Sequence, residues 1–411
     1  MAGTISGSVS GTEELRRTNL RALLQAVHIG GPTTRADLTR LLGLNRSTIG
    51  GLTTTLIELG LVAEQTAAQA TAAGVLPGGA RSGRPSHLVV PRPENAVIAI
   101  DLGVDRVQVA LVGLGGVVLE RRVREHERGQ HDVDHVVERM AAMVEDIETA
   151  APSGTRILGV AVSVPGAVRS EDGMVQFAPN LGWHGEPFAG LLSRRLGRPV
   201  RAGNDANLGV MAEHRRGAAV GHRHVIYLGV SVGIGGGFLV DGRLLAGASG
   251  YAGEVGHLQV DAVGPECSCG ASGCWELKIG ENRLLALAGR PLGGGPDAVA
   301  EVIAAAMSGE TAAEEALREV STWTGVGLRS LINLFNPEVV VVGGTLAQLW
   351  PVMGERVEAI LSRRALMAPR ADVAVLPAQL GRDSSLIGAA ELAFEAVLAD
   401  PQSAVQCVAA S

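Results

Sequence analysis

Cys267-Ser-Cys-Gly-Ala-Ser-Gly-Cys-Trp-Glu276, with Gly253-Glu-Val-Gly-His257 before it, is the stretch that decides how this chain is interpreted. Three cysteines lie within eight residues, and the glycines between them let the backbone fold back so that three thiolates meet at one point. A chance cluster of free thiols is disfavoured because Cys407 is the only other cysteine. With a histidine as fourth ligand, the pattern predicts a structural, tetrahedral Zn²⁺ site formed by His257, Cys267, Cys269 and Cys274.

Composition indicates an ordinary globular protein with an α/β core. The chain has 411 residues, of which 46% are hydrophobic and 3% aromatic, and this length is sufficient for two or three domains. No stretch approaches about eighteen uninterrupted apolar residues. Polar residues occupy the N-terminal positions where a signal peptide carries its apolar segment. We therefore expect a cytoplasmic protein without a membrane partner, and the few cysteines fit a reducing compartment.

The N-terminal segment differs in charge from the rest of the chain. Residues 1–92 carry nine Arg and five acidic residues, a net charge of +4, whereas the remaining residues carry −11. From Thr18 onward the apolar residues recur at helical spacing in three short runs, which predicts three helices. The first covers Thr18 to Ile29, Thr33 or Thr34 caps the second, and Asn45 caps the third. The predicted buried positions are Leu38, Leu41 and Leu42 in the second helix, and Ile49, Leu52, Leu56 and Leu59 in the third.

This spacing is typical of a helix-turn-helix that places its third helix in the DNA major groove. Arg46, Ser47 and Thr48 lie near the start of that helix, where side chains contact base edges and phosphates. A three-helix packing module that does not bind DNA is the alternative.

The segment that follows favours a winged form of this domain. One strand is predicted from Leu61-Val62 and a return strand over residues 86–90. The Gly-rich segment between them carries Arg81 and Arg84, which a minor groove would accept. Residues 91–95 are the predicted linker to the rest of the chain.

Beyond this linker, strands and helices alternate, which indicates an α/β body. The last predicted strand ends in a glycine turn that opens into a helix, a geometry suited to phosphate groups. The glycine loop 233–237 is either a phosphate loop or a simple hairpin turn. The predicted elements are strands over 97–103, 107–113, 157–163, 225–230 and 339–345, and a helix over 132–150.

Asn204 and Asp205 stand at the end of a further strand and offer an amide beside a carboxylate. They would bind a sugar hydroxyl, which Asp205 could also deprotonate, or they would cap a helix.

Taken together, these residues resemble the ROK family of repressors, open reading frames and sugar kinases. The resemblance covers nearly the whole chain, and residues 18–92 look like the winged helix-turn-helix of the repressor branch. It implies a two-lobed, actin-like ATPase fold with a monosaccharide between the lobes. The residues that match the family's sugar-binding positions are Asn204, Asp205, Glu254, His257 and Glu276, with Asn180 on a sugar-side loop.

One departure from the family pattern argues against ATP binding. Kinase members carry Asp-x-Gly-Gly-Thr-Lys in the first phosphate loop, whereas this chain has Asp101-Leu-Gly-Val-Asp-Arg106. A β-branched side chain and an added carboxylate would crowd and repel a polyphosphate. Ser231-Val232 likewise replaces Gly-Thr in the second loop.

The sequence therefore predicts a transcriptional repressor of carbohydrate genes rather than an enzyme. Residues 1–92 would bind DNA, and residues 93–411 would bind a monosaccharide or sugar phosphate as effector. Zinc would hold Glu254 and Glu276 near the sugar. A homodimer or dimer of dimers would recognise an inverted-repeat operator. An ATP-dependent sugar kinase fused to a DNA-binding domain, with Asp205 as catalytic base, is the alternative.

Overall fold

The computed structural model describes residues 8–66, 69, 87–129, 131–364, 366 and 372–409. Its N-terminal part contains the helices α1 (Ser8–Gly30), α2 (Arg35–Leu42) and α3 (Arg46–Glu58). The strands β1 (Thr33–Thr34), β2 (Val62–Thr66) and β3 (His87–Pro91) form an antiparallel sheet in the order β1-β3-β2. The three helices and the two longer strands occur in the predicted order.

The predicted helix boundaries follow from local capping. The Thr34 hydroxyl accepts a hydrogen bond from the Asp37 N–H at the start of α2. The Asn45 side chain accepts one from the Thr48 N–H at the start of α3. Gly43 ends α2 with φ 66°, a conformation that favours glycine.

Two expectations about these helices are wrong. The first helix begins at Ser8 rather than at Thr18. Residues 11 and 13–17 of its added turns are exposed and form no apolar stripe, so apolar periodicity could not reveal them. Leu41 is 67% exposed, whereas Leu38 is fully buried. Helix α2 is only two turns long and packs along one side, and Leu41 points away from that side. Arg81 and Arg84 lie outside the described residues.

The first lobe of the body is a five-stranded sheet in the order β11-β7-β4-β5-β6. Neighbours are parallel within β11-β7-β4 and antiparallel within β4-β5-β6. Helix α4 (Val133–Ala150) covers one face, and a small sheet and helix α5 (Phe188–Leu196) pack at the edge. The strands are β4 (Asn95–Leu102), β5 (Arg106–Gly113), β6 (Val117–Glu125), β7 (Arg156–Val164) and β11 (Val200–Asn204), with β8 (Ala167–Val168), β9 (Val175–Ala178) and β10 (Trp183–Glu186) in the small sheet.

The second lobe is a five-stranded sheet in the order β14-β13-β12-β15-β16. Its strands are β12 (Val225–Val230), β13 (Ile234–Val240), β14 (Arg243–Leu244), β15 (Val339–Gly344) and β16 (Ala374–Pro377). The central strands β12 and β15 are almost continuously apolar because both of their faces are covered. The helices α7 (Glu276–Ile279), α8 (Glu281–Leu287), α9 (Gly295–Met307), α10 (Thr311–Phe335) and α11 (Thr345–Arg364) belong to this lobe.

Two helices pack against each other between the sheets: α6 (Asp205–Arg216) and α12 (Ser384–Ala399). A Cβ on Gly388 would lie 2.1 Å from the Leu208 carbonyl oxygen, so the two backbones are in contact. The buried Glu213 carboxylate of α6 accepts hydrogen bonds from the Leu380 N–H and the Ser384 hydroxyl, at 2.9 and 2.8 Å. The two helices therefore form one rigid unit. Helix α13 (Pro401–Ala409) follows.

The N-terminal helices are not separated from the body by a free linker. Only residues 92–94 lie between β3 and β4, and the Arg92 N–H donates to the Leu61 carbonyl oxygen. Side chains of α1, among them Leu20 and Leu24, share one buried apolar cluster with Phe394 and Val397 of α12. The sequence did not predict this shared core. Across the described residues, no helix is both long enough and apolar enough to span a bilayer.

Candidate functional site

The four predicted metal ligands lie together. The ligand atoms of His257, Cys267, Cys269 and Cys274 are all within 4.8 Å of one another. Cys267 Sγ is 3.7 Å from His257 Nδ1, and Cys269 Sγ is 3.6 Å from Cys274 Sγ. Ligands about 2.1–2.3 Å from a tetrahedral zinc are separated by about 3.4–3.8 Å, so this spacing fits zinc. The four side chains could therefore hold a metal ion.

Local hydrogen bonds and one obligatory glycine fold the ligand loop. The Cys267 N–H donates to the Ala271 carbonyl at 2.7 Å, which closes a tight turn around Cys269. Gly273 has φ 68°, and a Cβ there would lie 1.7 Å from the Asp261 carbonyl oxygen. Only glycine fits at this position, because any other side chain would collide with the backbone.

The end of the loop is anchored on the second lobe. Trp275 is fully buried, and its Nε1–H donates to the Trp323 carbonyl of α10 at 2.9 Å. Lys278 pairs with Asp261 at 2.6 Å and lies 4.7 Å from the centre of the Trp323 ring. The four predicted metal ligands thus rest on a fixed support.

Glu276 connects the cysteine cluster to the glycine loop. Its Oε1 accepts from Cys267 Sγ at 3.1 Å and lies 3.6 Å from His257 Nδ1. A Cβ on Gly233 would lie 2.9 Å from the other oxygen, Oε2, so glycine at this position leaves room for the carboxylate. The loop itself is the β12–β13 hairpin turn, closed by the Ser231 N–H donating to the Gly233 carbonyl at 2.9 Å.

Asn204 caps α6 and also orients its neighbour. Its Oδ1 accepts from the Asn207 N–H at 3.0 Å, so the capping interpretation is confirmed for this residue. Its Nδ2 donates to the Gly166 carbonyl at 3.0 Å and to Asp205 Oδ1 at 3.1 Å. Asp205 is thereby held at the first position of α6, directly against the glycine loop, where a Cβ on Gly235 would lie 3.5 Å from Oδ1.

The environment of Asp205 favours its protonated form. Burial raises the pKa of Asp205 to about 7, and the negative charges of Asp101 and Glu254 add to this rise. A hydrogen bond from the Ala206 N–H, at 2.8 Å, acts in the opposite direction. A carboxyl group with a pKa near neutrality can exchange a proton with a bound hydroxyl.

The remaining predicted sugar-binding residues are more exposed. Glu254 precedes the short turn Val255–His257. Its side chain is exposed on one side, but partial removal of the carboxyl group from water raises its pKa, an effect that His257 opposes and Glu276 reinforces. Asn180 is exposed and lines a cleft of about 360 Å³ between residues of the two lobes. The structure thus brings Asn204 and Asp205 together and joins Glu276 to the metal ligands, while Asn180 lies in the neighbouring cleft.

The residues that depart from the kinase pattern line the same cleft. Val104 and Val232 both face it. Asp105 accepts from Arg128 at 2.9 Å, and Arg128 also donates to Glu281 of the second lobe at 2.7 Å. The Glu281 side chain is only 3% exposed. We call Asp105, Arg128 and Glu281 the cross-lobe bridge. Apart from the unusual Asp105, no local pattern in the chain predicts it.

The predicted DNA-contacting residues lie at the start of α3. Arg46 and Ser47 are exposed and Thr48 is partly exposed. The Ser47 hydroxyl donates to the Asn45 side chain at 2.7 Å, so it takes part in the cap.

Sequence reasoning missed a buried group of charged residues. His28, Arg215, Arg216 and Glu391 come from three distant segments and meet between α1, α6 and α12. Glu391, in the otherwise apolar segment 386–394, was the only available signal.

The chain has extensive similarity to known proteins. The ROK family model matches residues 97–396. A xylose repressor of Caldicellulosiruptor bescii is 28% identical over 401 residues, covering 94% of this chain and 98% of that protein. A glucokinase of Streptomyces coelicolor is 32% identical over 323 residues, covering 72% and 97%.

A solved structure extends this similarity to the whole fold. The crystal structure of a ROK family transcriptional regulator, a homologue of the E. coli MLC protein, superposes with a TM-score of 0.76 at 25% identity. It covers 95% of this chain and 99% of that chain, so the N-terminal helices and both lobes have counterparts. The chain therefore belongs to the ROK family and has a two-lobed, actin-like α/β body behind its N-terminal helices.

Proposed function

We propose that this protein is a sugar-responsive transcriptional repressor. Residues 1–92 bind operator DNA, and residues 93–411 bind a monosaccharide or sugar phosphate. One observation carries this proposal: the same chain contains helix α3, which is capped and has an exposed first turn, and the polar group around Asp205. The full-length similarity to a xylose repressor supports the same combination.

DNA recognition by α3 follows from its position and chemistry. Arg46 and Ser47 stand exposed in the first turn, where the helix N-terminus adds a favourable interaction with phosphate. Thr48, one residue further along, reaches the base edges. Arg81 and Arg84 complete the proposed DNA contacts from the wing. A homodimer or dimer of dimers then presents two such helices to an inverted repeat.

Sugar recognition uses the polar groups at the start of α6 and at the metal cluster. Carboxylates and amides bind neighbouring sugar hydroxyls in pairs because they accept and donate along one rim of the ring. Zinc held by the three cysteines and His257 would fix Glu276, whose second oxygen points to the glycine loop. The proposed sugar-binding residues are Asn180, Asn204, Asp205, Glu254, His257 and Glu276.

The cleft composition argues against ATP as a ligand. Val104 and Val232 occupy positions where kinases carry small or hydroxyl residues, and Asp105 adds a negative charge. A polyphosphate would have to displace Asp105 from Arg128 and approach Glu281 as well.

The test is DNA binding by the full-length, zinc-loaded protein. Fragments upstream of its own gene are titrated at fixed salt with and without D-xylose, D-glucose and glucose 6-phosphate. We expect specific binding that one of these compounds weakens. Absence of specific binding by a folded, zinc-loaded protein would refute the proposal.

A sugar kinase is the second candidate, and one observation favours it. Asp205, at the kinase base position, has a pKa raised to about 7, as a general base requires. A coupled assay with ATP, Mg²⁺ and the same sugars decides between them. Turnover that disappears in Asp205→Asn would establish the kinase.

A further inference from the structure

A buried group of charges joins the N-terminal helices to the body. His28 lies near the end of α1 and is fully buried, and Glu391 on α12 is 1% exposed. Arg216 Nε donates to Glu391 Oε1 at 2.6 Å, and Arg215 Nη1 donates to Oε2 at 2.9 Å. We call these four residues the buried ion cluster.

The cluster binds α1 through both side chain and backbone. The Gly115 N–H donates to His28 Nδ1 at 3.0 Å, and His28 Nε2 lies 2.8 Å from Arg216 Nη2 and 3.3 Å from each oxygen of Glu391. Arg216 donates to the His28 carbonyl at 3.2 Å and to the Gly115 carbonyl at 2.9 Å. The guanidinium thus connects α1, the β5–β6 turn and α12 at one point.

The charges in the cluster are fixed by their surroundings. Burial lowers the pKa of His28, so the imidazole is neutral near pH 7. Burial alone would raise the pKa of Glu391, but His28 and the two arginines hold it well below its usual range. Because His28 is neutral, Arg215 and Arg216 supply the compensating charge for a carboxylate that is almost completely removed from water.

Helix α6 spans the distance between the sugar-binding residues and this cluster. Asp205 is its first residue, and Arg215 and Arg216 are its last two. Its 12 residues correspond to about 18 Å of helix. The backbone contact at Gly388 and the bonds of Glu213 lock α6 to α12 along this length. A movement at one end is therefore carried to the other end and not absorbed in between.

We propose that α6 transmits sugar binding to the DNA-binding helices and that the buried ion cluster is the joint through which it acts. This inference rests on the proposed function and names the regulation of that same site. Sugar hydroxyls that bond to Asn204 and Asp205 shift the start of α6. Arg216 then shifts against α1, and α3 changes its position relative to the second DNA-binding domain of a dimer.

A second contact between the N-terminal part and the body is not connected to α6 by hydrogen bonds among the described residues. Arg156, at the start of β7, donates to Asn95 at 2.9 Å and to the Leu59 carbonyl at 3.2 Å. It anchors the end of α3, and its hydrogen bonds among the described residues go to Asn95, Leu59 and Gly60 and not to α6. The buried ion cluster, in contrast, combines hydrogen bonds to α1 with residues of α6.

The test compares Glu391→Gln with Glu395→Gln in the full-length, zinc-loaded protein. Glu395 is one helical turn further along α12 and pairs at 2.8 Å with Arg201, both side chains being more than a third exposed. The measured quantities are the Kd for DNA without sugar, the Kd for D-xylose or D-glucose, and the change in DNA affinity on adding that sugar. Couplings of this kind typically amount to about 5- to 150-fold.

We expect Glu391→Gln to keep both separate Kd values within about twofold of wild type while the sugar-induced change in DNA affinity falls at least about fivefold. Glu395→Gln should keep the full sugar-induced change in DNA affinity. His28→Gln adds no buried charge and replaces Glu391→Gln as the test variant if that protein does not fold. It should also lose the sugar-induced change in DNA affinity.

Two results would overturn the inference, and they are distinguishable. If Glu391→Gln and His28→Gln both fold and retain the wild-type sugar response, the buried ion cluster does not transmit sugar binding, and the proposed function is unaffected. A wild-type protein that binds its operator but responds to no sugar would refute the proposed function, and with it the relay.

Discussion

Removal of Arg128 from the cross-lobe bridge provides a quantitative test of how the lobes are held together. The Arg128→Gln variant would leave Glu281, 3% exposed, without its charged partner. Breaking a buried ion pair by removing one partner costs about 3–5 kcal/mol. The lower end, about 3 kcal/mol, applies here because Glu281 keeps a hydrogen bond from the Gly295 N–H and because the Arg128 side chain is itself 20% exposed.

The assay is urea unfolding of Arg128→Gln, Glu281→Gln and the double variant, which forms a double-mutant cycle. Each single variant should be destabilised, and the double variant should be less destabilised than the two effects added together. Arg195→Gln is the matched control, since Arg195 also bridges two carboxylates, Glu138 and Glu145, but on the exposed surface. If Arg128→Gln unfolds at the same urea concentration as Arg195→Gln, the cross-lobe bridge does not stabilise the folded protein.

Three further predictions concern the metal, the sugar-binding carboxylate and the β5–β6 turn. Cys267→Ser should lose zinc, measured by metal analysis, and with it the sugar response. A zinc-free protein that still responds to sugar would show that the response does not depend on zinc. Asp205→Asn should weaken sugar binding in calorimetry. It should also be more stable than wild type at pH 8, because the pKa of Asp205 is raised to about 7 in the folded protein and an ionised carboxylate therefore disfavours folding. The difference in unfolding free energy between the variant and wild type should shrink as the pH falls toward 4. A difference that does not change with pH would contradict this reasoning. Gly116→Ala should lower the melting temperature more than Gly154→Ala. Both glycines have φ near 85°, but only at Gly116 would the new Cβ collide with another atom, 2.4 Å from Arg216 Cζ. Equal decreases in melting temperature would show that the backbone conformation alone matters.

The features that the sequence predicted correctly depend on residues close together in the chain. Thr34 and Asn45 cap their helices through bonds to residues three positions later. The four side chains that could hold a metal ion come from 18 consecutive positions, His257 to Cys274, and lie together as predicted. In such short segments the spacing of residue types is sufficient, because the backbone has few ways to arrange them.

The features that were missed depend on residues far apart or on surfaces without a pattern. His28 and Glu391 are 363 positions apart, and no local spacing relates them. The first turns of α1 carry no apolar stripe, so periodicity could not show where that helix begins. Leu41 fits the apolar pattern of α2, but the pattern cannot show that no partner element covers that side of a short helix. Asp205 was singled out locally, as a carboxylate beside an amide at the end of a strand, and its match to the family's sugar-binding positions supports the same prediction.

The apolar core shared by α1 and α12 limits how this molecule can be divided experimentally. A fragment ending at residue 92 would lose Phe394, Val397 and the other α12 side chains that share one buried apolar cluster with Leu20, Leu24 and Val27, and part of that cluster would become exposed. Such a fragment would aggregate or pair with itself, so its DNA affinity would not report that of the intact protein. Grafting the N-terminal helices onto a different effector domain would require new polar side chains at these positions. Conversely, a body lacking α1 would present the bare side of α12 to solvent, and its oligomeric state in solution could not be equated with that of the complete chain.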